Sequence, residues 1–375
     1  MIRSKNNLFK SLYFIAIAMA AIYCFKRPLY NWDLLPYTYL VLKIDHHNSE
    51  EAFHLTYKLA KENIPPKEYK ALTDSSNIYR YTLSHDPETF DAQLPFYVVK
   101  PLYTGLIYLF YKSGVPLIQA TLLPSLISYL LIGFLLFHWL GIYLRSSISF
   151  IIAFLMMISS PLVEVAKLSS PDCLSAFLLL FSFYFILKKP VLRAALLFML
   201  LSVFARLDNI ITCLGLIGVI YASKKWEKII STGNFLLITM TFICSYFLVS
   251  FFAYQYGWSI LFYNDFADHL HPANGSKEHF STLSYLRLMY EHILSGINHS
   301  YLVIFLALIF LNFNENLNLK NLSFEKAFLL FILSILFTRL ILYPDVSDRF
   351  YIPFYLIIVI LTAKKFSLNQ TEINR

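Results

Sequence analysis

Residues 116–143 read "PLIQATLLPSLISYLLIGFLLFHWLGIY", an apolar run without Asp, Glu, Lys or Arg. Roughly 20 helical residues cross a hydrocarbon core about 30 Å thick, so this run is long enough to span a bilayer. Outward from it, similar runs fall at 11–25, 96–112, 148–166, 172–187, 191–205, 208–223, 232–256, 297–313, 327–343 and 350–363. The composition agrees: 58% of residues are hydrophobic, 18% aromatic and only 14% charged, against about 25% charged in soluble domains. The sequence therefore predicts an all-α, polytopic integral membrane protein, one membrane domain over residues 1–375. About 9–11 transmembrane or half-spanning helices are expected.

The formal charge of +8 is gathered largely at the ends of apolar runs: Arg3/Lys5/Lys10, Lys188/Lys189/Arg193, Lys224/Lys225/Lys228, Lys320/Lys326 and Lys364/Lys365. That is the pattern of cytoplasmic loops facing anionic lipid. No basic tract interleaves with aromatics in a polar setting, so no nucleic-acid partner is expected. Arg3, Lys5 and Lys10 ahead of the run at 11–25 suit a signal peptide or an uncleaved anchor. Because many runs follow, the anchor is the expected form, with a cytoplasmic N-terminus and residue 27 outside, in a bacterial inner (plasma) membrane. Alternation of sides then requires an odd number of crossings between 96 and 187. Four runs lie there, so 148–166 is expected to be a half-span or re-entrant helix, its backbone shielded by protein. Cys24, Cys173, Cys213 and Cys244 have no paired spacing and are expected to be small buried hydrophobes.

Three segments share the outer face in this topology: a large loop at 27–95, a second at 257–296 and "YPDVSDRF" at 343–350. In the first, Asp33 before Leu34-Leu35-Pro36 suits a helix N-cap with proline in the first turn. Asn48 with Glu51 resembles a capping box. Behind it, Leu55, Leu59, Phe53, Tyr57 and Ala60 recur at helical spacing opposite Glu50, Lys58, Lys61 and Glu62. This predicts an amphipathic helix lying on the outer leaflet and ended by Pro65-Pro66. Asp86-Pro87 begins another helical piece.

Several short stretches together resemble a known class. They are the N-terminal span with an acidic residue just after it, the juxtamembrane helices, "QLPFYVVKPLYTGLIYLFYKSG" (93–114), "SSPDCLSAFLLLFSFYFILKK" (169–189), "FARLDNIITCLGLI" (204–217) and "DRFYIPFYLIIVI" (348–360). The chain resembles the GT-C class of polytopic glycosyltransferases, which use polyprenyl-phosphate-linked sugars. The likeness implies that Asp33, in the position of the class's first-loop acid, is a general base or acceptor-positioning group, with Asp172 as the second acid. It also implies that Arg206 and Arg349 meet the donor phosphate, and that Arg349, Phe350, Tyr351 and Pro353 form the Arg-aromatic-x-Pro lead-in to the last span. The implied partners are a polyprenyl-phosphate-linked sugar, a glycan or lipid acceptor and membrane lipids. The chain departs from many relatives in "NWD" at 31–33, where an Asp-Glu pair is common, and in having few spans near its C-terminus with no soluble domain after them. Both departures point away from a large protein acceptor.

The chemistry supports that reading independently. Inverting sugar transfer needs a carboxylate to take the acceptor's proton and cations shaped for the leaving phosphate. Ionisable groups at the edge of apolar segments are functional candidates. Trp32 and Tyr37, beside Asp33, are placed to stack on a sugar. Simpler roles stand beside these: Asp33 as a cap, Asp172 as a first-turn acid, Arg206 and Asp208 as a turn-forming ion pair, Arg349 paired with Asp345 or Asp348. His269 and His271 in "ADHLHPANG" (267–275) suit a polar loop that binds substrate or zinc, and the adjacent His46 and His47 suit a surface turn. There is no Gly-rich phosphate loop, serine elbow or HExxH. No cofactor is expected, and no ligand cluster supports a divalent cation. A polysaccharide polymerase or ligase and a transporter or flippase without chemistry remain as alternatives. The transporter predicts inverted repeats, which the sequence does not display.

Overall fold

The computed structural model describes residues 2–46, 48–223, 230–254, 256–266, 281–297, 300–313 and 323–373. All regular structure among them is helical. The first helix, α1 (Ile2–Lys26), leads to a cap of short helices: α2 (Leu34–His46), α3 (Ser49–Asn63), α4 (Pro66–Leu72), α5 (Ile78–His85), α6 (Pro87–Ala92) and α7 (Pro95–Val98). A bundle follows, of α8 (Pro101–Lys112), α9 (Leu117–Leu140), α10 (Ser146–Met157), α11 (Ser160–Lys167), α12 (Asp172–Leu187), α13 (Leu192–Ala205) and α14 (Asn209–Ala222). The remainder comprises α15 (Thr232–Phe252), α16 (Trp258–Phe266), α17 (Thr282–Ile297), α18 (Leu302–Asn312), α19 (Phe324–Leu342) and α20 (Ile352–Ile373), with a 3₁₀ turn at Asp348–Phe350.

The uncharged run that opened the sequence becomes α9, the hub of the bundle. Its small and polar residues do the joining. Gly133 lets α1 approach closely, with the Tyr13 hydroxyl bonded to the Gly133 carbonyl at 2.9 Å, as small residues do between membrane helices. Thr121 and Ser125 reach Ser169 Oγ (2.8 Å) and the Ser170 carbonyl (2.9 Å), fixing the segment that runs into α12.

Among the described residues, three helical stretches are long and apolar enough to cross a membrane: Leu8–Lys26, Leu117–Leu140 and Thr232–Phe252. The number is four if α10 and α11, bent by 57° at the Ile158–Ser159 break, count together. This bend falls where the half-span was expected. Pro161, one residue into α11, has no amide to continue the helix. The sequence predicts about nine to eleven transmembrane or half-spanning helices; among the described residues these three or four meet both the length and the apolarity of a full span. α12, α13, α14 and α18 are apolar but shorter; 16 residues rise about 24 Å.

α9 and α15 have the same mean hydropathy, 2.1, but 72% of one and 11% of the other is buried. Cys244, on α15, is accordingly exposed, while Cys24, Cys173 and Cys213 are buried as expected.

The cap has its own aromatic core. α3 starts as the sequence indicates, with Asn48 Oδ1 accepting from the Glu50 and Glu51 amides, and Asp86 caps α6 through the Glu88 amide. Its apolar face does not lie on lipid, however. Phe53, Tyr57 and Ala60 are buried, with both rings against Phe90 of α6, and the outward face carries charges. Sequence periodicity shows that a face is apolar but not what covers it.

Candidate functional site

Two segments that follow helices, after α1 and after α11, meet in an isolated parallel bridge between Leu29 and Leu168, with the Leu29 amide 2.9 Å from the Lys167 carbonyl. Asp33 and Asp172 lie four residues beyond their bridged leucines. Both carboxylates are within electrostatic reach of Lys100 and Arg349.

Asp33 precedes α2 but has little to cap. The Leu34 and Leu35 amides are taken by the carbonyls of Asn31 (3.3 Å) and Trp32 (3.1 Å). Pro36 occupies the third helical position, whose amide a capping side chain normally receives, and has no N–H. The carboxylate instead accepts from Asn31 Nδ2 at 2.9 Å, and the Tyr97 hydroxyl approaches it. The proline that suggested a cap is the residue that removes one.

Asp172 is the opposite case. It is buried, accepts from Ser170 Oγ at 3.0 Å and pairs with Arg206, while Arg349 lies 3.9 Å from its other oxygen. Arg206 also grips Asp208 through Nε (3.0 Å) and Nη2 (3.1 Å), so the expected turn-forming pair exists but extends to Asp172. Arg339 of α19 completes the cluster, reaching Asp208 at 3.2 Å and Asn209 Oδ1 at 2.8 Å. Asn209 in turn donates to Ser175 Oγ and the Ser202 carbonyl. Asp208 is held by Arg206 and Arg339, yet its side chain is 44% exposed, which places it on the wall of an open cleft. Burial alone would raise its pKa; Arg206 and Arg339 outweigh that and hold it well below the usual carboxylate range.

Two cations line the cleft without a tight partner among the described residues. Arg349 does not pair with the acids of its own loop. Asp345 is engaged by Ser347, and Asp348 accepts from Ser300, Tyr355 and the Tyr301 amide. The Arg349 guanidinium lies 4.6 Å from the Phe350 ring centre, as does that of Arg206. Lys100 Nζ lies over the rings of Tyr97 (5.0 Å) and Tyr37 (5.8 Å). Burial pulls the Lys100 pKa down, against the opposing pull of Asp33.

The cluster unites Asp33, Asp172, Arg206, Asp208 and Arg349 of the expected residues. Tyr37 is fully buried, edge-on to Tyr97 and Tyr103, so its ring cannot stack on a ligand; its hydroxyl has no partner among the described residues. Trp32 is half-buried against Tyr79 and Phe90, with its Nε1 also unpartnered. Tyr351 is a core residue whose hydroxyl is used by the Asp345 carbonyl. His269 and His271 lie outside the described residues. Lys100 and Arg339 are additions. Each is a single cation inside an apolar stretch, a signal that membrane energetics makes informative. Among the described residues no group of three or more His, Cys, Asp or Glu is placed to hold a metal ion.

No family model, curated protein or solved structure matches the chain. The functional reading therefore rests on the cleft itself: an uncommitted carboxylate beside two loosely held cations can take a proton and receive an anion.

Proposed function

We propose that the protein is a polytopic GT-C-like glycosyltransferase acting on the outer face of a bacterial inner membrane, with a polyprenyl-phosphate-linked sugar as donor and a glycan or lipid as acceptor. The observation that carries this is Asp33, free of capping duty at the mouth of a cleft that also holds Lys100 and Arg349. Asp33 takes the proton of the acceptor hydroxyl as its oxygen attacks the anomeric carbon. The bond from that carbon to the phosphate oxygen breaks, and the phosphate leaves with the electron pair. Arg349 and Lys100 meet the growing negative charge, the former as a planar fork and the latter as a point charge. Asp172, held by Arg206, positions Arg349 and does not itself exchange protons.

The test is complementation of a deletion strain whose surface glycans are profiled. Wild type restores the missing glycan, whereas Asp33→Asn and Asp33→Ala accumulate in the membrane and fail to restore it. Full restoration by Asp33→Asn removes the catalytic role and returns attention to polymerase and transporter mechanisms.

A further inference from the structure

α17 has two contrasting faces. On one, the Tyr285 hydroxyl donates to the Ile341 carbonyl, its ring lies 5.2 Å from that of Phe262, and His292 lies 4.8 Å from Phe266. On the opposite face Leu283, Leu286, Tyr290 and Leu294 follow one another at three- and four-residue spacing, and are 78%, 47%, 64% and 49% exposed. Arg287 and Glu291, paired at 2.9 Å, flank this stripe. A continuous apolar stripe on one side of a docked helix marks an interaction surface.

Its position indicates what covers it. Trp258 Nε1 donates to the Leu342 carbonyl at 2.6 Å, so α16 and α17 are both fastened to the last turn of α19. A short link joins α16 to α15, whose end exposes Phe251, Phe252 and Tyr254 by 77%, 69% and 85%. Aromatic side chains at the end of an apolar helix form the girdle at which hydrocarbon gives way to headgroups, and α16 follows that end of α15 and is fastened to the same turn of α19 as α17.

We propose that α17 is an interfacial helix, its Leu283–Leu286–Tyr290–Leu294 stripe lying in the headgroup–acyl boundary of the phospholipid leaflet at the cleft's end of the bundle. The inference rests on the reading of the chain as membrane-embedded. It assigns to α17 the place that sequence periodicity gives to α3, whose apolar face is covered by protein. Through Phe266 and Tyr343 the docked face of α17 leads to Asp265, whose carboxylate takes the Tyr343 hydroxyl and acts electrostatically on Tyr97.

The test places a nitroxide at Leu286→Cys, Leu294→Cys, Glu291→Cys or, on α15, Met240→Cys in the full chain carrying Cys244→Ser. The protein is reconstituted in phosphatidylcholine–phosphatidylglycerol vesicles, and collision with oxygen is compared with collision with a water-soluble nickel chelate. Labels at 286 and 294 should favour oxygen several-fold, at a depth of about 5–10 Å, while 291 favours the chelate. If 240 reports lipid but 286 reports water, the assignment of α17 falls and the membrane reading stands. Shielding of 286 from both reagents overturns it in favour of a protein contact, such as a second copy. If 240 itself reports water, the membrane reading fails and this inference with it.

Discussion

Asp33 and Asp172 occupy equivalent places, four residues beyond the two ends of one parallel bridge, yet their surroundings differ completely. Asp172 is buried and held by Ser170 and Arg206, with Arg349 beyond; Asp33 is half-buried and, among the described residues, held by the Asn31 side-chain amide and the approach of Tyr97. A buried carboxylate gripped by a hydroxyl and a guanidinium organises its neighbours. One whose local helix offers no amide is available to a substrate. The contrast separates a residue that builds the cleft from the one the proposed mechanism uses, and each half can be tested.

The largest effect on stability is expected at Asp172. Asp172→Ala removes one of the two carboxylates on Arg206, whose two bonds to Asp208 remain, and leaves the Ser170 hydroxyl without its acceptor, a loss of about 1–3 kcal/mol. The variant should lose thermal stability in detergent and accumulate poorly; a wild-type melting curve would refute the structural role. Asp33→Asn should leave the melting curve within about 0.5 kcal/mol of wild type while lowering glycan transfer about 10²–10⁴-fold. If the two variants behave alike, the distinction collapses. Arg349→Ala should reduce transfer by about tenfold or more, the weight of one charge-assisted contact, with little change in stability because its distance from Asp172 is already 3.9 Å.

Pro36→Ala sharpens the comparison from another side. It supplies the missing amide, so Asp33 gains a capping partner and is drawn away from the cleft. Transfer should fall several-fold, while stability stays within about 1 kcal/mol because the new cap offsets the lost rigidity of proline. The smallest effect concerns Lys100. Burial lowers its pKa in the folded state, so the folded protein binds fewer protons than the unfolded chain between that lowered value and the ordinary lysine value. Stability should therefore rise as pH increases through this window. Lys100→Met should flatten that rise in melting curves recorded from neutral to alkaline pH.

Much of the cleft is written locally in the chain and so was legible. The Asn48 and Asp86 caps and the Arg206–Asp208 pair each depend on residues a few positions apart. What escaped depends on residues far apart in sequence. Arg349 turns to Asp172 and not to Asp345 because the turn at Asp348–Phe350 packs against α11 and α12. Tyr37 is buried by Tyr97 and Tyr103, some sixty residues on. Apolar periodicity located the face of α3 but could not reveal Phe90 over it. Lys100 and Arg339 could have been found, each a lone charge in an apolar run, but their cleft-facing roles required the fold.

The sparse burial of α15 has a consequence for how the protein meets different membranes. Its 21 residues rise about 32 Å, close to a full bilayer core, whereas α12, α13 and α14 are shorter and packed inward. A thinner or thicker membrane therefore acts first on α15, which can tilt because little protein holds it. Hydrophobic mismatch would be absorbed at the periphery, leaving the geometry around Asp33 insensitive to bilayer thickness.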